Sequence, residues 1–570
     1  MGLSSSLQIG RTGLISAQTA LQITGNNLAN VNTRGYHRQT VALSPTPYRE
    51  LNPGQFVGSG VQIDEIARQI DSALEARLRG AVSDSGRSNT RTELLQQLEA
   101  IDNELTDVDL STRLAAFFTA WDDAAASPQD LAARTLVVEE GKTLSTFIQG
   151  LRSDYGNLQL QVDRQIAASA ETADDLLTRI EGLNTSIVLA EGGIGTPRNG
   201  AGGLRDQRDL LISELSTYLD VSVVEQQNGE VDLFVGSTAL MLGGESRGIQ
   251  VVTETVDGQR TTSVRLREDQ SPIPVTAGSL GAQIAFREND LQDAIDQLDA
   301  LSASLIYEVN RIHSQSQGLQ TPSSYEGVYR VDDSTAALDS EDAGLFFTPQ
   351  NGSFEVRLIQ QATGQAQTTV IDIDLDGIDP TSDTSFDDLI AQLGAVANLT
   401  ASATSDGRLS LQADPGYALA FGADTSGVLA SLGVNAYFTG DDASDIAVAQ
   451  GLSDPRLVGL SDNANAGDNG AALAVSALRD ANLDDLQGLS LTAYWNRHVE
   501  DFGIRLAQAQ EQSQADAVVQ ANLSEQQQAV SGVNADEETI ALIQHQRAFQ
   551  ASARFISVVD ELIQTLLNLV

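Results

Sequence analysis

Seven-residue apolar repeats occupy both ends of this chain, and they constrain its fold more than anything between them. Near the start Leu7, Leu14, Leu21 and Leu28 recur every seven residues, with Ala17, Thr24 and Val31 three places after the last three. At the finish Leu542, Phe549, Ile556, Ile563 and Val570 keep the same period. Val559 and Leu566 add a second seam there, with Phe555, Leu562 and Leu569 beside it. A heptad of apolar residues gives a helix a narrow sticky seam that fits another helix. The pattern predicts that the two ends pair and that the pair meets copies of itself or of relatives. Two ordinary amphipathic helices packed on a monomer's own core satisfy it equally. Helices over 3–31 and 539–570 would each reach about 40–50 Å at about 1.5 Å per residue.

The 570 residues exceed what one core can organise, so about three or four domains are expected. No run approaches the roughly eighteen apolar residues of a membrane span, and no membrane insertion is expected. The first residues carry neither the basic nor the apolar region of a cleaved secretory signal. Gly2 and Ser6 match the myristoylation pattern, but so short a match arises by chance and the heptad begins at the same place.

Charge is informative in its distribution. The net charge is −45, yet residues 1–49 hold no Asp or Glu and four Arg, and 541–570 balance Arg547 and Arg554 against Asp560 and Glu561. The acidity therefore lies in the middle of the chain. Such a field repels nucleic acid and anionic membranes and leaves the two ends free to associate. Lys142 is the only lysine, a bias that genome composition and a saline habitat would each produce. With no cysteine, neither disulfides nor thiolate metal sites hold the fold. His37, His313, His498 and His545 show no zinc-ligand spacing, and each reads as a surface or partly buried ring.

Along the chain, Asn30 to Tyr36 reads as a helix stop, because asparagine and glycine tolerate left-handed backbone. Residues 39–66 look extended, with turns at Pro45, Pro47 and Asn52-Pro-Gly54 and a strand near Val61–Ile63. Long-helical spacing runs from about Ile66 to Glu191, a Gly-rich connector covers 192–203, and a short helix follows around 206–219. Residues 221–277 alternate apolar and polar, with Asn228-Gly as a hairpin turn. Helical period returns over 280–313, a mostly β insert is expected over 321–440, and 470–530 is helical again.

Two turns carry candidate site residues. Asn26, Asn27 and Asn30 both donate and accept hydrogen bonds, so they can fix helix register where leucine alone would slide. Asn32, Gly35 and Tyr36 shape the turn after them. In the second turn, Ser531, Gly532 and Asn534 precede the last helix; Ser531 or Asn534 can cap it, with Asp536, Glu537 and Glu538 at its positive end. Read bluntly, these are local caps worth about 1 kcal/mol each.

Asp372-Ile-Asp-Leu-Asp-Gly377, with Asp383 at the twelfth place, imitates a calcium loop. It lacks the bidentate Glu and holds Pro380, so a strand with one acidic face is the better reading. Metalloprotease, phosphate-loop and nucleophile-elbow motifs are absent. The sequence therefore gives no catalytic residues, no metal site and no cofactor, and the chain is expected not to be an enzyme.

The stretch Asn26-Asn-Leu-Ala-Asn-Val-Asn-Thr-Arg-Gly-Tyr-His-Arg-Gln39 resembles the N-terminal signature of flagellar rod, hook and hook-associated proteins. Gly58-Ser-Gly-Val61 matches the glycine turn that follows in that family, and Ser531–Glu538 resembles the turn before its C-terminal helix. Gly203-Leu-Arg-Asp-Gln-Arg-Asp209 and Leu432–Phe438 are similar to its interior. Ala535 departs from the bulkier apolar residue usual there. The resemblance is strong at both ends and loose over 321–430.

It implies a structural, ring-forming junction protein between hook and filament, with self, the hook protein and the second junction protein as partners. It also implies export through the flagellar type III channel, location in the flagellum, and a chaperone on the C-terminal helix. The expected fold is α+β and multidomain. A terminal coiled-coil assembly domain takes 1–50 plus 531–570. A mainly helical rod domain takes 51–320 plus 445–530, with a small β portion about 221–277. A mostly β outer domain over 321–444 sits at the far tip. Another axial protein (hook, distal rod or second junction protein) would share the ends, but the Gly-Tyr-x-Arg-Gln turn argues against hook and rod. A secreted adhesin or enzyme with coiled-coil ends would need a ligand or catalytic constellation in 321–440, and none is visible.

Overall fold

The computed structural model describes all residues except 1–2, 53–54, 103–108, 193–200, 257–258, 379–382, 464–466 and 570. Its helices are α1 (Leu3–Ala29), α2 (Ser72–Asp102), α3 (Leu110–Ala126), α4 (Leu131–Ala190), α5 (Gly202–Tyr218), α6 (Gly278–Ala285), α7 (Leu291–His313), α8 (Phe386–Gly394), α9 (Val428–Ser431), α10 (Gly470–Ala477), α11 (Leu491–Ser531) and α12 (Ala535–Leu569). The chain forms two compact units. One comprises Met1–Leu95, Gln161–Glu288 and Leu506–Val570, the other Gln96–Leu160 and Asn289–Arg505. The fold is α+β and multidomain, with long helices and several small sheets. No described helix is long and apolar enough to cross a membrane.

In the first unit, β1 (Gln39–Pro45) pairs antiparallel with β4 (Val61–Arg68), with a bulge between Ala42 and Leu43. β2 (Arg49–Asn52) and β3 (Gln55–Val57) form a short hairpin between them. The alternation over 221–277 becomes a meander of β5 (Ser222–Glu225), β6 (Val231–Val235), β7 (Thr238–Leu242) and β8 (Glu245–Ser246), followed by the hairpin of β9 (Ile249–Val256) and β10 (Gln259–Leu266). Asn228-Gly229 makes the β5–β6 turn, with Gly229 at φ +90°. From α4 this unit buries Val162, Ile166, Ala173, Leu177, Ile180 and Ile187, an apolar stripe at helical spacing. Most of the 192–203 connector lies outside the described residues.

The second unit contains two three-stranded sheets over one core. β11 (Ser324–Arg330), β15 (Arg408–Ala413) and β14 (Leu399–Ala403) form one; β13 (Ala366–Ile373), β12 (Gly352–Gln360) and β16 (Tyr417–Gly422) form the other. Phe354, Val356, Ile371, Phe386, Leu409 and Phe421 meet between them. Ser385 and Asp388 cap α8 reciprocally, satisfying two backbone donors that the helix cannot. The Val370–Gly377 run is strand and turn, with Ile371, Ile373 and Leu375 inward and the aspartates outward.

Leu432–Phe438 is a plug for the end of α7. Asn435 takes φ +51°, and its side-chain amide donates toward the carbonyls of His313, Ser314 and Ser316 where the chain leaves the helix. Tyr437 and Phe438 then pack on Phe117, and Tyr437 on Trp121. The reading of the histidines as surface or partly buried rings is corrected for three of them. His37 (3% exposed), His313 (0%) and His498 (2%) are buried, each with polar partners that a single sequence does not reveal.

Candidate functional site: the paired chain ends

α1 and α12 run antiparallel, with Asn27 beside Glu538 at one end and Leu3 and Leu7 near Ile563 and Leu567 at the other. The α12 seam is Leu542, His545, Phe549, Ser552, Ile556, Val559 and Ile563, at alternating three- and four-residue spacing. The face α1 turns to it is built of small residues: Gly10, Gly13, Ala17, Ala20, Thr24 and Asn27. A Cβ at Gly10 would lie 2.8 Å from Ile556 Cγ1 and 3.0 Å from Phe555 Cδ1, so the absent side chain sets how closely the helices approach. Large residues on one helix fill the space that small ones leave on the other.

The leucine stripe of α1 flanks this seam. Leu7 is exposed and Leu14, Leu21 and Leu28 are half-buried. On α12, Phe555, Val558, Leu562 and Leu566 stay about half exposed, a second stripe at helical spacing. A cleft of about 450 Å³ opens at the far end between Leu3, Leu7, Ile563 and Leu566. Val570 lies outside the described residues. The third side of α1 faces the β1–β4 ribbon. There Gly60, at φ +118°, takes a backbone that side chains avoid and lies where a Cβ would strike Thr12. This gives the Gly58-Ser-Gly-Val61 motif its physical reason.

Asn27 is the centre of the site's polar base. Buried at 1% exposure, it donates to Gln39 O (2.9 Å) and Glu538 Oε2 (3.0 Å), and accepts from Tyr36 Oη (2.8 Å) and Gln39 N (3.1 Å). All four of its hydrogen-bonding positions are thereby used. Asn26 donates to the same Tyr36 hydroxyl, and Asn30 and Thr33 continue the local chain of bonds. Asn32 is exposed, and Gly35 at φ +77° turns the backbone so that Tyr36 comes back beneath the helix. Burial, with the Asp206 carboxylate nearby, pushes the Tyr36 hydroxyl up to about 12, so it remains a donor.

The C-terminal turn joins here. Arg38 N donates to Ser531 O (2.9 Å), Arg38 Nε to buried Glu538 (2.7 Å), and Arg38 also pairs with Glu537 (3.1 Å). Asn534 caps α12, accepting from the Asp536 amide at 3.0 Å, while Ser531 ends α11. Gly532 N donates back to Gln528 O.

A second group locks the first turn onto α5. His37 Nδ1 meets Asp206 Oδ1 at 2.8 Å, and Arg68 reaches Asp206 and Asp209 at 2.8 Å each. Glu75 lies 3.6 Å from His37 Nε2 and accepts from Gln527. Burial opposes charge on His37, but its hydrogen bond to the Asp206 carboxylate and the nearby Glu75 carboxylate outweigh it and raise its pKa to about 9. The Gly203–Asp209 motif is therefore a hub. Asp206 and Asp209 hold the N-terminal segment, Arg208 bonds Asn184 and Gly229 O, and Arg205 pairs with Glu191 and Glu225.

His37, Asp206 and Asp209 are close enough to hold a metal ion, but the Arg68 guanidinium already supplies the positive charge between the two carboxylates. Asp374, Asp376 and Asp383, and Asp441, Asp442 and Asp445, are the other acidic groupings among the described residues.

A family model for the FlgK helical domain of flagellar hook-associated protein matches residues 95–324. Models for the basal body rod protein and for the FlgEFG rod protein C-terminus match 7–37 and 526–569, the two paired ends. Flagellar hook-associated protein 1 of Salmonella typhimurium is 28% identical over the whole of both chains, and that of Escherichia coli K12 is 27% identical over the same span. The chain is FlgK-like, similar along its whole length to flagellar hook-associated protein 1. It is a structural protein of the flagellum, similar in fold to FlgK from Burkholderia pseudomallei (TM-score 0.51, 17% identity, covering 80% of this chain and 100% of that one). Flagellar hook-associated protein 1 of Bacillus subtilis is 31% identical over 39% of this chain and 44% of its own length.

Proposed function

We propose that the protein forms a ring at the hook–filament junction, built by packing the α1–α12 pairs of neighbouring copies side by side. The observation that carries this is an apolar stripe left open on a hairpin whose own seam is already closed. Phe555, Val558, Leu562 and Leu566 on α12, with Leu7, Leu14, Leu21 and Leu28 on α1, offer that stripe. Burying one large apolar side chain contributes about 1.5–3 kcal/mol, so a few such contacts from each neighbour suffice for a stable ring. In this reading the terminal domain is 1–50 plus 531–570, the helical rod 51–320 plus 445–530, and the outer insert 321–444. The hook protein and the second junction protein take the two faces of the ring. Before export through the flagellar channel, a small helical chaperone covers the open stripe of α12, which would otherwise be an aggregation hazard.

Two substitutions separate the seams. Phe549→Asp breaks the intramolecular pair, whereas Leu562→Asp leaves it intact and removes only the outer contact. Leu562→Asp is expected to give a folded, exported protein that fails to hold filaments on hooks. Normal filament attachment by that variant contradicts the proposal. For the chaperone, calorimetry with chains lacking 541–570 or 1–35 should show binding lost only in the first; unchanged affinity there places the chaperone elsewhere.

A further inference from the structure

We propose that the polar cleft at the base of the α1–α12 pair docks a carboxylate-bearing segment of a second copy of this chain. The inference rests on the ring-forming reading above and names a second contact within it.

The cleft measures about 670 Å³, room for one loop or helical turn but not for a folded domain. Its walls are the Asn30–His37 turn, α2, α5 and the end of α11 with Ser531–Val533. Arg79 of α2 reaches into it half-buried. Its Nε is shielded from solvent with no acceptor, and no described residue forms a hydrogen bond or ion pair with the guanidinium. The carboxylates in the same cleft are engaged elsewhere: Glu75 with His37 and Gln527, Asp209 with Arg68. Burial lowers the pKa of Arg79, and Asp209 and Glu75 only partly offset it. Arg34 stands exposed on the rim, also without an ion pair.

A half-buried guanidinium whose Nε is shielded and without an acceptor gains when an opposite charge arrives. Arg34, Arg79 and protonated His37 against Glu75 and Asp209 leave the cleft positive within a chain whose net charge is −45. The incoming group is therefore acidic, and the body of a neighbouring copy is rich in exposed carboxylates. A second copy is the occupant because the cleft wall includes both terminal turns. The cleft thus adjoins the base of the same α1–α12 pair that the ring-forming reading packs against neighbouring copies.

The test uses full-length protein assembled in cells. A benzoylphenylalanine photo-crosslinker at Gln520, on the cleft wall, is combined with Arg79→Gln or Arg79→Lys. The expected result is a crosslink to an Asp- or Glu-containing peptide of a second copy. Arg79→Gln should reduce it about tenfold or more, the loss of one charge-assisted pair, and Arg79→Lys should retain most of it. Thermal melting of the purified variants should match the parent, showing that the loss is not misfolding. Crosslinks confined to another flagellar protein, no crosslink beyond the chain itself, or insensitivity to Arg79→Gln overturn the docking site while leaving the ring intact. Absence of the parent protein from hook–filament junctions overturns the ring-forming reading, and this inference with it.

Discussion

Asn27→Asp is the sharpest perturbation of the site, because it keeps shape and exchanges one amide for a carboxylate. Asn27 donates to Glu538 at 3.0 Å and to Gln39 O at 2.9 Å, and the replacement loses both donors and faces Glu538 as a like charge. At an effective dielectric constant of about 20, two unit charges 3 Å apart repel by about 5–6 kcal/mol. Taking up a proton instead costs about 4 kcal/mol at neutral pH, from a carboxyl pKa near 4. The cheaper route sets the penalty, so the base of the pair should lose about 3–4 kcal/mol near pH 7. That corresponds to amide exchange in 27–39 and in the first turns of α12 rising about 100- to 1,000-fold. The introduced carboxyl has a raised folded pKa, so its destabilisation grows as pH rises through the unfolded value and fades in acid. Hydrogen exchange measured by mass spectrometry at about pH 5 and pH 8, each against the parent, reads both effects. Unchanged protection at the higher pH, or an equal loss at both, refutes the claim that Asn27 and Glu538 clamp the chain ends.

Gly10→Leu should force α1 off Ile556 and Phe555 and destabilise the pair by about 1–3 kcal/mol. Gly25→Leu, where no atom lies within 4 Å of a Cβ, should be tolerated; proteolytic trimming of both variants compares them. The His37 pKa is raised to about 9, so its stabilising contribution is full below its unfolded value and is lost as pH rises through about 9. Denaturation of the parent and His37→Gln across that range should show the parent alone losing this term. His313 behaves oppositely. Burial lowers its pKa to about 4, so its contribution is present above the ordinary histidine value and is lost as pH falls toward 4, as tryptophan fluorescence of Trp121 should report.

Element type was legible because long periodic runs leave little choice. The 3.6-residue spacing gave α4 and α7, and alternation with Asn228-Gly gave the β5–β6 hairpin. The phase of the α1 seam was not. Leucines at 7, 14, 21 and 28 signal a helical face, but which face meets α12 depends on bulk carried by Phe549 and Ile556, more than 500 residues away. Small residues such as Gly10 and Ala20 carry no hydropathy signal, although they let the helices touch. In the turns, asparagine spacing marked Asn26, Asn27 and Asn30 alike, and only burial singles out Asn27. Arg38, His37, Glu75 and Arg68 were missed as site residues because their partners lie on distant segments. The charge-rich Gly203–Asp209 motif was the available signal, and reading it as an ion-pair hub would have pointed to them.

Electron microscopy of flagella from a strain lacking this gene tests the central claim most directly. The account predicts hooks without attached filaments, filament protein shed into the medium, and recovery on expressing the intact chain. Normal filaments on hooks in that strain would contradict it.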